Sequence, residues 1–156
     1  MALKVGDKAP SFKLVDSDKN EVSLENFKGK NLILHFFPAS FTGVCTTQLC
    51  TVRDAISLYH NDKSEVVAVS VDLPFTLAKF KELQNLNFTL LSDFNKEAST
   101  AYGAIYESWI LGLKGVSKRS AFVIDKEGVI QYAEVLESAG DLPNFEAINA
   151  TLAGLA

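Results

Sequence analysis

Two cysteines five residues apart, Cys45 and Cys50, are the side chains of this sequence whose type and spacing most clearly require a chemical explanation. Cys45 follows an apolar run and the loop of residues 38–44, at the start of a segment whose apolar residues have helical spacing. The unpaired N–H groups and the positive dipole end of a helix N-terminus favour thiolate over thiol. This position predicts a reactive thiolate at Cys45, although the residues alone are equally compatible with a packed thiol at a loop–helix junction.

The spacing of the two cysteines limits how they could react with each other. Five residues on one helix place the two Cα atoms about 8.6 Å apart, whereas a disulfide needs a Cα separation of roughly 4.4–6.8 Å. The pair therefore cannot bond while the helix is intact. Thr46 and Thr47 are modest helix formers, so we expect local unwinding there to be comparatively easy. The alternative is that Cys50 is an inert core residue.

Other kinds of reactive site find little support in the sequence. Two sulfurs would need about two further ligands to hold a metal ion, and the chain has 2 histidines. His35 lies inside an apolar run and is expected to pack within a strand, whereas His60 lies near a helix end and is expected to be solvated. The sequence shows neither a glycine-rich phosphate loop nor a Cys-x-x-Cys motif. We expect neither a metal nor another cofactor.

The length, composition and charge of the chain limit the number of domains and the classes of partner that we expect. With 156 residues, 47% of them hydrophobic, the chain is long enough to bury the core of one domain spanning residues 1–156. The 15 basic and 19 acidic residues give a formal net charge of −4, which argues against nucleic acid or an anionic membrane as a partner. No apolar run is long enough to cross a bilayer, and the N-terminus lacks the apolar segment of a secretion signal. A cytoplasmic location is the expectation.

The elements that must position the cysteines alternate between strand and helix. Strands are predicted at residues 11–16, 21–24, 31–37, 65–71, 88–92, 120–125 and 129–134. Helices are predicted at 45–59, 74–86, 95–102 and 142–152, with Asp72, Asp93 and Asp141 at the starts of the last three. Residues 107–118 are expected to form an irregular surface loop near the site. This order predicts an α/β, thioredoxin-like fold with a central mixed β-sheet flanked by helices and an N-terminal β-hairpin extension.

Several short motifs, in order along the chain, resemble those of one family. The run Phe36-Phe37-Pro38-Ala-Ser-Phe-Thr42-Gly-Val-Cys45-Thr46 is similar to the PxxxTxxC signature of peroxiredoxins. Residues 7–12 (DKAPSF), 70–72 (SVD), 91–93 (LSD), 101–103 (AYG) and 119–128 (RSAFVIDKEG) resemble further landmarks of that family. Each motif alone is weak, but together they span nearly the whole chain and are highly specific. The resemblance implies a thiol peroxidase.

Carried over residue by residue, the resemblance implies a set of roles. Cys45 matches the peroxidatic cysteine, which attacks the peroxide. Thr42 matches the threonine that hydrogen-bonds the peroxide, and Arg119 matches the arginine that supports the thiolate and the transition state. Pro38 matches the loop proline that shields the sulfur. Gln48 holds a place where Glu or Gln often orients the arginine.

The resemblance also implies a role for Cys50. The Cys-x4-Cys spacing is similar to that of the Q-type group, also called bacterioferritin comigratory proteins, in which the second cysteine resolves the oxidised first one. Residues 70–75 look more like the thiol-peroxidase (Tpx) group, and the LSDF and AYG stretches look like one-cysteine peroxiredoxins of the AhpE group. In the Tpx group the resolving cysteine follows a phenylalanine, whereas here Lys81 follows Phe80. Cys50 is therefore the internal resolving residue that the sequence offers.

The activity implied is reduction of hydrogen peroxide and organic hydroperoxides to water and alcohols. Cys45 would become a sulfenic acid, Cys50 would resolve it as an intramolecular disulfide, and thioredoxin or a glutaredoxin-like dithiol would reduce that disulfide. The resemblance slightly favours a homodimer formed near the active-site loops. Two alternatives stay open: a one-cysteine peroxidase resolved by an external thiol, and a non-catalytic redox sensor or binding module on the same fold.

Overall fold

A mixed β-sheet of seven strands runs through the computed structural model, which describes residues 2–155. The strands along the chain are β1 (Lys13–Asp16), β2 (Glu21–Ser23), β3 (Asn31–Phe36), β4 (Ser64–Ser70), β5 (Thr89–Ser92), β6 (Ile105–Tyr106), β7 (Val116–Ser117), β8 (Ser120–Ile124) and β9 (Ile130–Val135). The order in the large sheet is β2-β1-β5-β4-β3-β8-β9. β3, β4 and β5 run parallel, whereas the β1–β2 hairpin joins β5 and the β8–β9 hairpin joins β3 in antiparallel pairing.

Helices cover both faces of this sheet. They are α1 (Gly43–Asp54), α2 (Ile56–Tyr59), α3 (Pro74–Gln84), α4 (Glu97–Ala101) and α5 (Phe145–Ala153). The arrangement confirms the predicted mixed α/β, thioredoxin-like fold with an N-terminal hairpin. Within residues 2–155, none of these helices has the length and apolar character needed to cross a membrane.

The central strand β3 is buried on both faces, as its continuous apolar run predicts. Ile33 packs into a core with Leu49 of α1, whereas Leu34 packs into a second core, on the other face, with Tyr102 beside α4. Successive strand side chains point to opposite faces. His35 therefore shares the face of Ile33 and lies beneath α1.

The helix predicted over residues 45–59 is divided in two. α1 ends at Asp54, and Ala55 leaves helical geometry (φ −118, ψ 29) before α2 begins. Alanine is the strongest helix former, so local propensity does not explain the break. Tyr59 is fully buried and donates a 2.6 Å hydrogen bond from its hydroxyl to Asn149 Oδ1. Tertiary packing against α5 thus sets the direction of α2.

The three predicted helix caps have different outcomes. The carboxylate of Asp93 accepts hydrogen bonds from the N–H groups of Ala98 and Ser99 at 3.0 and 2.6 Å, so it does satisfy the start of α4. The prediction for Asp141 is wrong, because α5 begins at Phe145 and its first turn is capped by the side chain of Asn144. The prediction for Asp72 is also wrong: α3 has no side-chain cap, and this carboxylate is used elsewhere.

The segment predicted as an irregular loop, residues 107–118, is more ordered than expected. Its end forms β7, which pairs with β6 in a two-stranded antiparallel ladder. A short 3-10 turn at Ile110–Gly112 lies between the two strands. Two-residue strands are too short to produce an alternating sequence pattern, which explains why the pattern did not reveal them.

Candidate active site

A short loop carries the chain from the end of β3 into α1. Pro38 is buried within it, and Thr42 is the extended N-cap residue of α1 (φ −99, ψ 154). The carbonyl of Thr42 accepts the N–H of Thr46 at 2.9 Å and so forms the first turn of the helix. Cys45 is the third residue of α1, where the sequence places it next to N–H groups that have no partner within the helix.

A carboxylate two residues after the neighbouring strand β4 holds this loop. Asp72 Oδ2 accepts hydrogen bonds from Ser40 N and Ser40 Oγ, each at 2.8 Å, and from Ser70 Oγ at 2.7 Å. Charge-assisted hydrogen bonds of this kind are stronger than neutral ones. Asp72 therefore ties the loop to the C-terminal end of β4, which is the use of this side chain that the helix-cap prediction missed.

The Cys45 sulfur lies in a buried contact with a guanidinium group. Cys45 has no exposed surface, and Arg119 is 2% exposed. Arg119 Nη2 donates to Cys45 Sγ across 3.3 Å. Arg119 stands directly before Ser120, and Ser120 pairs with Phe36 at the end of β3. The register of β3 and β8 therefore brings Arg119 beside the loop that leads to Cys45.

The guanidinium group of Arg119 donates two further hydrogen bonds, neither of them to a charged group. Its Nη1 donates to Gln48 Oε1 at 2.7 Å and its Nε donates to the carbonyl of Ala139 at 3.0 Å. A buried cation is costly unless it is paired. Of its three acceptors, an amide oxygen, a carbonyl oxygen and a sulfur, the sulfur of Cys45 is the one that can carry a full negative charge.

Gln48 links Arg119 to the strand beneath it. Gln48 is fully buried on α1, one turn after Cys45. Its Nε2 lies 3.0 Å from His35 Nδ1 and 3.4 Å from the carbonyl oxygen of Phe36. Burial lowers the pKa of His35 from 6.5 to about 4, so this ring is neutral near neutral pH.

The hydroxyl of Thr42 donates its hydrogen bond within its own loop. Thr42 Oγ1 donates to the carbonyl of Ala39 at 2.7 Å. A hydroxyl has one donor and two acceptor sites, so Thr42 keeps the capacity to accept a hydrogen bond. The side chain is partly exposed, which leaves it accessible to a small ligand.

Cys50 lies further along α1 and in different surroundings. It is partly buried, and its Sγ donates to Gln84 Oε1 of α3 at 3.7 Å. Nearby, Arg53 Nη1 donates to the carbonyl of Gln84 at 2.6 Å. Both cysteines are free thiols on one continuous helix.

The structure brings three of the predicted site residues into direct contact and leaves one apart. Cys45, Arg119 and Gln48 form one buried cluster, with Pro38 and Thr42 on the loop before it, whereas Cys50 contacts α3. His35 was expected to pack within a strand and Asp72 to cap a helix, so the contacts of these two residues with the site were not predicted. A histidine inside the apolar run of β3 was the available signal for the first of these.

Comparisons with known proteins agree with this geometry. Residues 5–133 match the AhpC/TSA family. The chain is 43% identical over 134 residues to Rv2521 of Mycobacterium tuberculosis, a protein named as a peroxiredoxin, with 85% of each chain covered. It is 39% identical over 154 residues to the mitochondrial thioredoxin-dependent peroxide reductase of Mus musculus, covering 92% of this chain and 56% of that protein. The crystal structure of a peroxiredoxin-like protein from Aquifex aeolicus superposes with a TM-score of 0.90 at 29% identity, covering 100% of this chain and 90% of the other.

Proposed function

The chain belongs to the AhpC/TSA family and is a peroxiredoxin, an oxidoreductase of the peroxidase type, and from that premise we propose that Cys45 is its peroxidatic cysteine. The observation that carries the proposal is the buried 3.3 Å contact between Arg119 Nη2 and Cys45 Sγ. Because the other acceptors of Arg119 are uncharged, pairing with the guanidinium favours the thiolate form of Cys45. The thiolate is the nucleophilic form of cysteine.

The first chemical step is an in-line displacement on the peroxide. The Cys45 thiolate attacks one peroxide oxygen, an S–O bond forms, and the O–O bond breaks. The leaving oxygen departs with the electron pair and takes a proton to become water or an alcohol, while Cys45 becomes a sulfenic acid. Arg119 and the free N–H groups at the start of α1 are fixed donors for the charge that moves onto the leaving oxygen. Thr42 accepts a hydrogen bond from the hydroperoxide O–H and orients it.

In the second step the sulfenic acid of Cys45 is converted into a disulfide. The Cys50 sulfur attacks Cys45 Sγ, an S–S bond forms, and the sulfenic oxygen leaves as water. Within intact α1 the Cα atoms are about 8.6 Å apart by helix geometry, so the first turns of α1 must unwind before this step. A dithiol then reduces the disulfide by two thiol–disulfide exchanges and is itself oxidised. Thioredoxin is the proposed dithiol, since the Mus musculus relative is named for it, and a glutaredoxin-like protein is the other candidate.

The setting of the enzyme is part of the proposal. We propose hydrogen peroxide and organic hydroperoxides as substrates, a single catalytic domain over residues 1–156, and a homodimer formed near the active-site loops. We also propose a cytoplasmic location, since transient catalytic disulfides, unlike structural ones, are compatible with a reducing compartment.

A coupled assay tests the role of Cys45. The purified protein is mixed with thioredoxin, thioredoxin reductase and NADPH, and peroxide consumption is followed with hydrogen peroxide and with an alkyl hydroperoxide. We expect turnover by the wild type and none by Cys45→Ser, because serine has no thiolate. Turnover by Cys45→Ser at the wild-type rate would reject Cys45 as the nucleophile.

Mass spectrometry after one equivalent of peroxide tests the role of Cys50. The wild type should lose two hydrogens as the internal disulfide forms. Cys50→Ser should instead gain one oxygen, retain the first oxidation and lose thioredoxin-driven cycling. Full cycling by Cys50→Ser would support the one-cysteine mechanism, in which Cys50 is structural and an external thiol resolves Cys45.

A further inference from the structure

His35 is a fully buried histidine in a strand whose other residues are mostly apolar. Its Nδ1 lies 3.0 Å from Gln48 Nε2, whereas its Nε2 has no hydrogen-bond partner in the described chain. The ring packs against that of Phe145 on α5, with 5.7 Å between the two ring centroids. Burying a polar ring with one unpaired nitrogen is unfavourable compared with burying an apolar side chain. A role in packing alone therefore does not explain a histidine here.

The arginine determines how the Gln48 amide is oriented. A guanidinium group is a donor at every nitrogen and never an acceptor. The amide atom 2.7 Å from Arg119 Nη1 must therefore be the oxygen. The amide nitrogen then points to the opposite side, where His35 Nδ1 and the Phe36 carbonyl are the acceptors.

This orientation in turn determines the protonation of His35. Because Gln48 Nε2 donates, His35 Nδ1 must be an acceptor and carries no proton. The ring is then neutral with its proton on Nε2, the nitrogen without a partner. The lowering of the His35 pKa to about 4 by burial agrees with a neutral ring.

We propose that His35 is a positioning residue of the peroxidase site, which acts through Gln48 to hold the guanidinium of Arg119 against the Cys45 sulfur. The proposal rests on the proposed function and extends it to a residue on β3. The connection runs from His35 Nδ1 to Gln48 Nε2, from Gln48 Oε1 to Arg119 Nη1, and from Arg119 Nη2 to Cys45 Sγ.

The uncharged side chains of His35 and Gln48 suit this site for two reasons. With an acceptor on one side and a donor on the other, the flipped amide is excluded, since it would set the Gln48 NH2 group against the guanidinium. Gln48 also brings no charge of its own. The positive charge of Arg119 is therefore not shared with a carboxylate and stays available to the thiolate and to the transition state.

Two substitutions at residue 35 separate positioning from packing. His35→Leu removes the Nδ1 acceptor and keeps an apolar filling, whereas His35→Asn supplies Oδ1 as an acceptor near the same place. The readout is the rate of Cys45 oxidation by hydrogen peroxide, followed in a stopped-flow instrument through the fluorescence of Trp109, the one tryptophan of the chain. We expect His35→Leu to be slower by about fivefold, the scale of one lost hydrogen bond between neutral groups, and His35→Asn to recover most of that loss.

The proposal is overturned if folded His35→Leu is oxidised at the wild-type rate, or if His35→Asn is as slow as His35→Leu. A second measurement needs no change at residue 35. Long-range 15N–1H NMR of the wild type, assigned with His60→Gln, should show His35 neutral and protonated on Nε2 near pH 7. A cationic or Nδ1-protonated ring would reject the connection. Absence of peroxidase activity in the wild type would reject the proposed function instead, and the NMR result would still decide the protonation of His35.

Discussion

At the scale of single residues, the site depends on how one buried positive charge is satisfied. Arg119 donates to a carbonyl, an amide and a sulfur, and each contact fixes one nitrogen of its planar group. Lysine has a compact ammonium group and cannot address three acceptors in one plane. The contribution of Arg119 should therefore come from its geometry as well as from its charge.

Arg119→Lys separates these two contributions. We expect the rate of Cys45 oxidation by hydrogen peroxide to fall by about 100-fold, the scale of losing one preorganised donor from an active site. Lys118→Met is the matched control, because it removes the positive charge of the neighbouring residue. Lys118 Nζ pairs with Glu137 at 2.8 Å rather than with the sulfur. Stopped-flow oxidation of the two variants decides the point. A wild-type rate in Arg119→Lys would mean that positive charge alone, and not the geometry of Arg119, supports the reaction. A loss in Lys118→Met as large as that in Arg119→Lys would mean that the loss is not specific to the donor that contacts the sulfur.

The sequence predicted the residue types of the site better than their contacts. The motif around Cys45 and the arginine at the start of β8 were both recognisable, and Gln48 was placed beside the arginine by resemblance. The contact of His35 with Gln48 was not predicted, because it depends on the face that His35 takes in β3 and on the rotation of α1 above it. Asp72 illustrates the same difficulty. Its position before a helix resembles a cap, but its Oδ2 accepts hydrogen bonds from Ser70 and from Ser40, which lies in a loop 32 residues earlier.

At the scale of elements, α1 has two differently anchored halves. Its start follows the loop that Asp72 holds and contains Cys45, whereas its second half is attached to the C-terminus of α3. Arg53 Nη1 donates to the Gln84 carbonyl at 2.6 Å, Cys50 Sγ donates to Gln84 Oε1 at 3.7 Å, and Asn87 Nδ2 donates to the Arg53 carbonyl at 3.3 Å. These contacts hold Cys50 in place and should resist its movement toward Cys45.

Weakening that attachment should speed the resolving step. In Arg53→Leu the hydrogen bond to the Gln84 carbonyl is lost, and we expect disulfide formation after Cys45 oxidation to accelerate by about threefold to tenfold, as the loss of one charged hydrogen bond allows. Lys79→Ala is the control, because it removes an exposed ion pair with Glu82 on α3 that does not involve α1. Samples quenched at successive times, alkylated and weighed by mass spectrometry give the rate. An unchanged rate in Arg53→Leu would mean that the contacts with α3 do not limit the movement of Cys50.

The elements themselves were predictable where one local pattern dominates. The apolar run of β3 and the β-branched run of β4 gave strands in the right places. The end of α1 was not predictable, because Ala55 is a good helix former and the break follows from packing of Tyr59 against α5. The same holds for β6 and β7, which are defined by their mutual pairing rather than by composition.

At the scale of the whole molecule, the burial that creates the site also has a cost in stability. β3 is covered on both faces, which gives the site a water-poor environment in which charged contacts are strong. The same environment keeps His35 neutral, with its pKa lowered from 6.5 to about 4. In the unfolded chain that histidine is solvated and regains its ordinary affinity for protons. We therefore expect the ionisation of His35 to add to the pH dependence of the stability.

The sign of this dependence follows from proton uptake. Between pH 6.5 and about 4 the unfolded state binds a proton at His35 that the folded state does not, so the free energy of unfolding falls as the pH is lowered through this range. The difference between 6.5 and about 4 corresponds to about 3 kcal/mol in total. His35→Leu has no such group. Its free energy of unfolding should lose less on acidification than that of the wild type, apart from a constant offset due to the lost hydrogen bond with Gln48.

Urea denaturation of both proteins from about pH 7 to about pH 4.5 measures this difference. The acidic side chains that also titrate are common to the two proteins, so their contributions cancel when one curve is subtracted from the other. Gln48 and Phe145, which contact the ring, do not titrate. A difference that grows toward acid pH would therefore report the proton taken up at His35. If the free energies of unfolding of the two proteins run parallel with pH, His35 binds its proton as well in the folded protein as in the unfolded one. The proposal that a neutral His35 accepts a hydrogen bond from Gln48 would then lose its support.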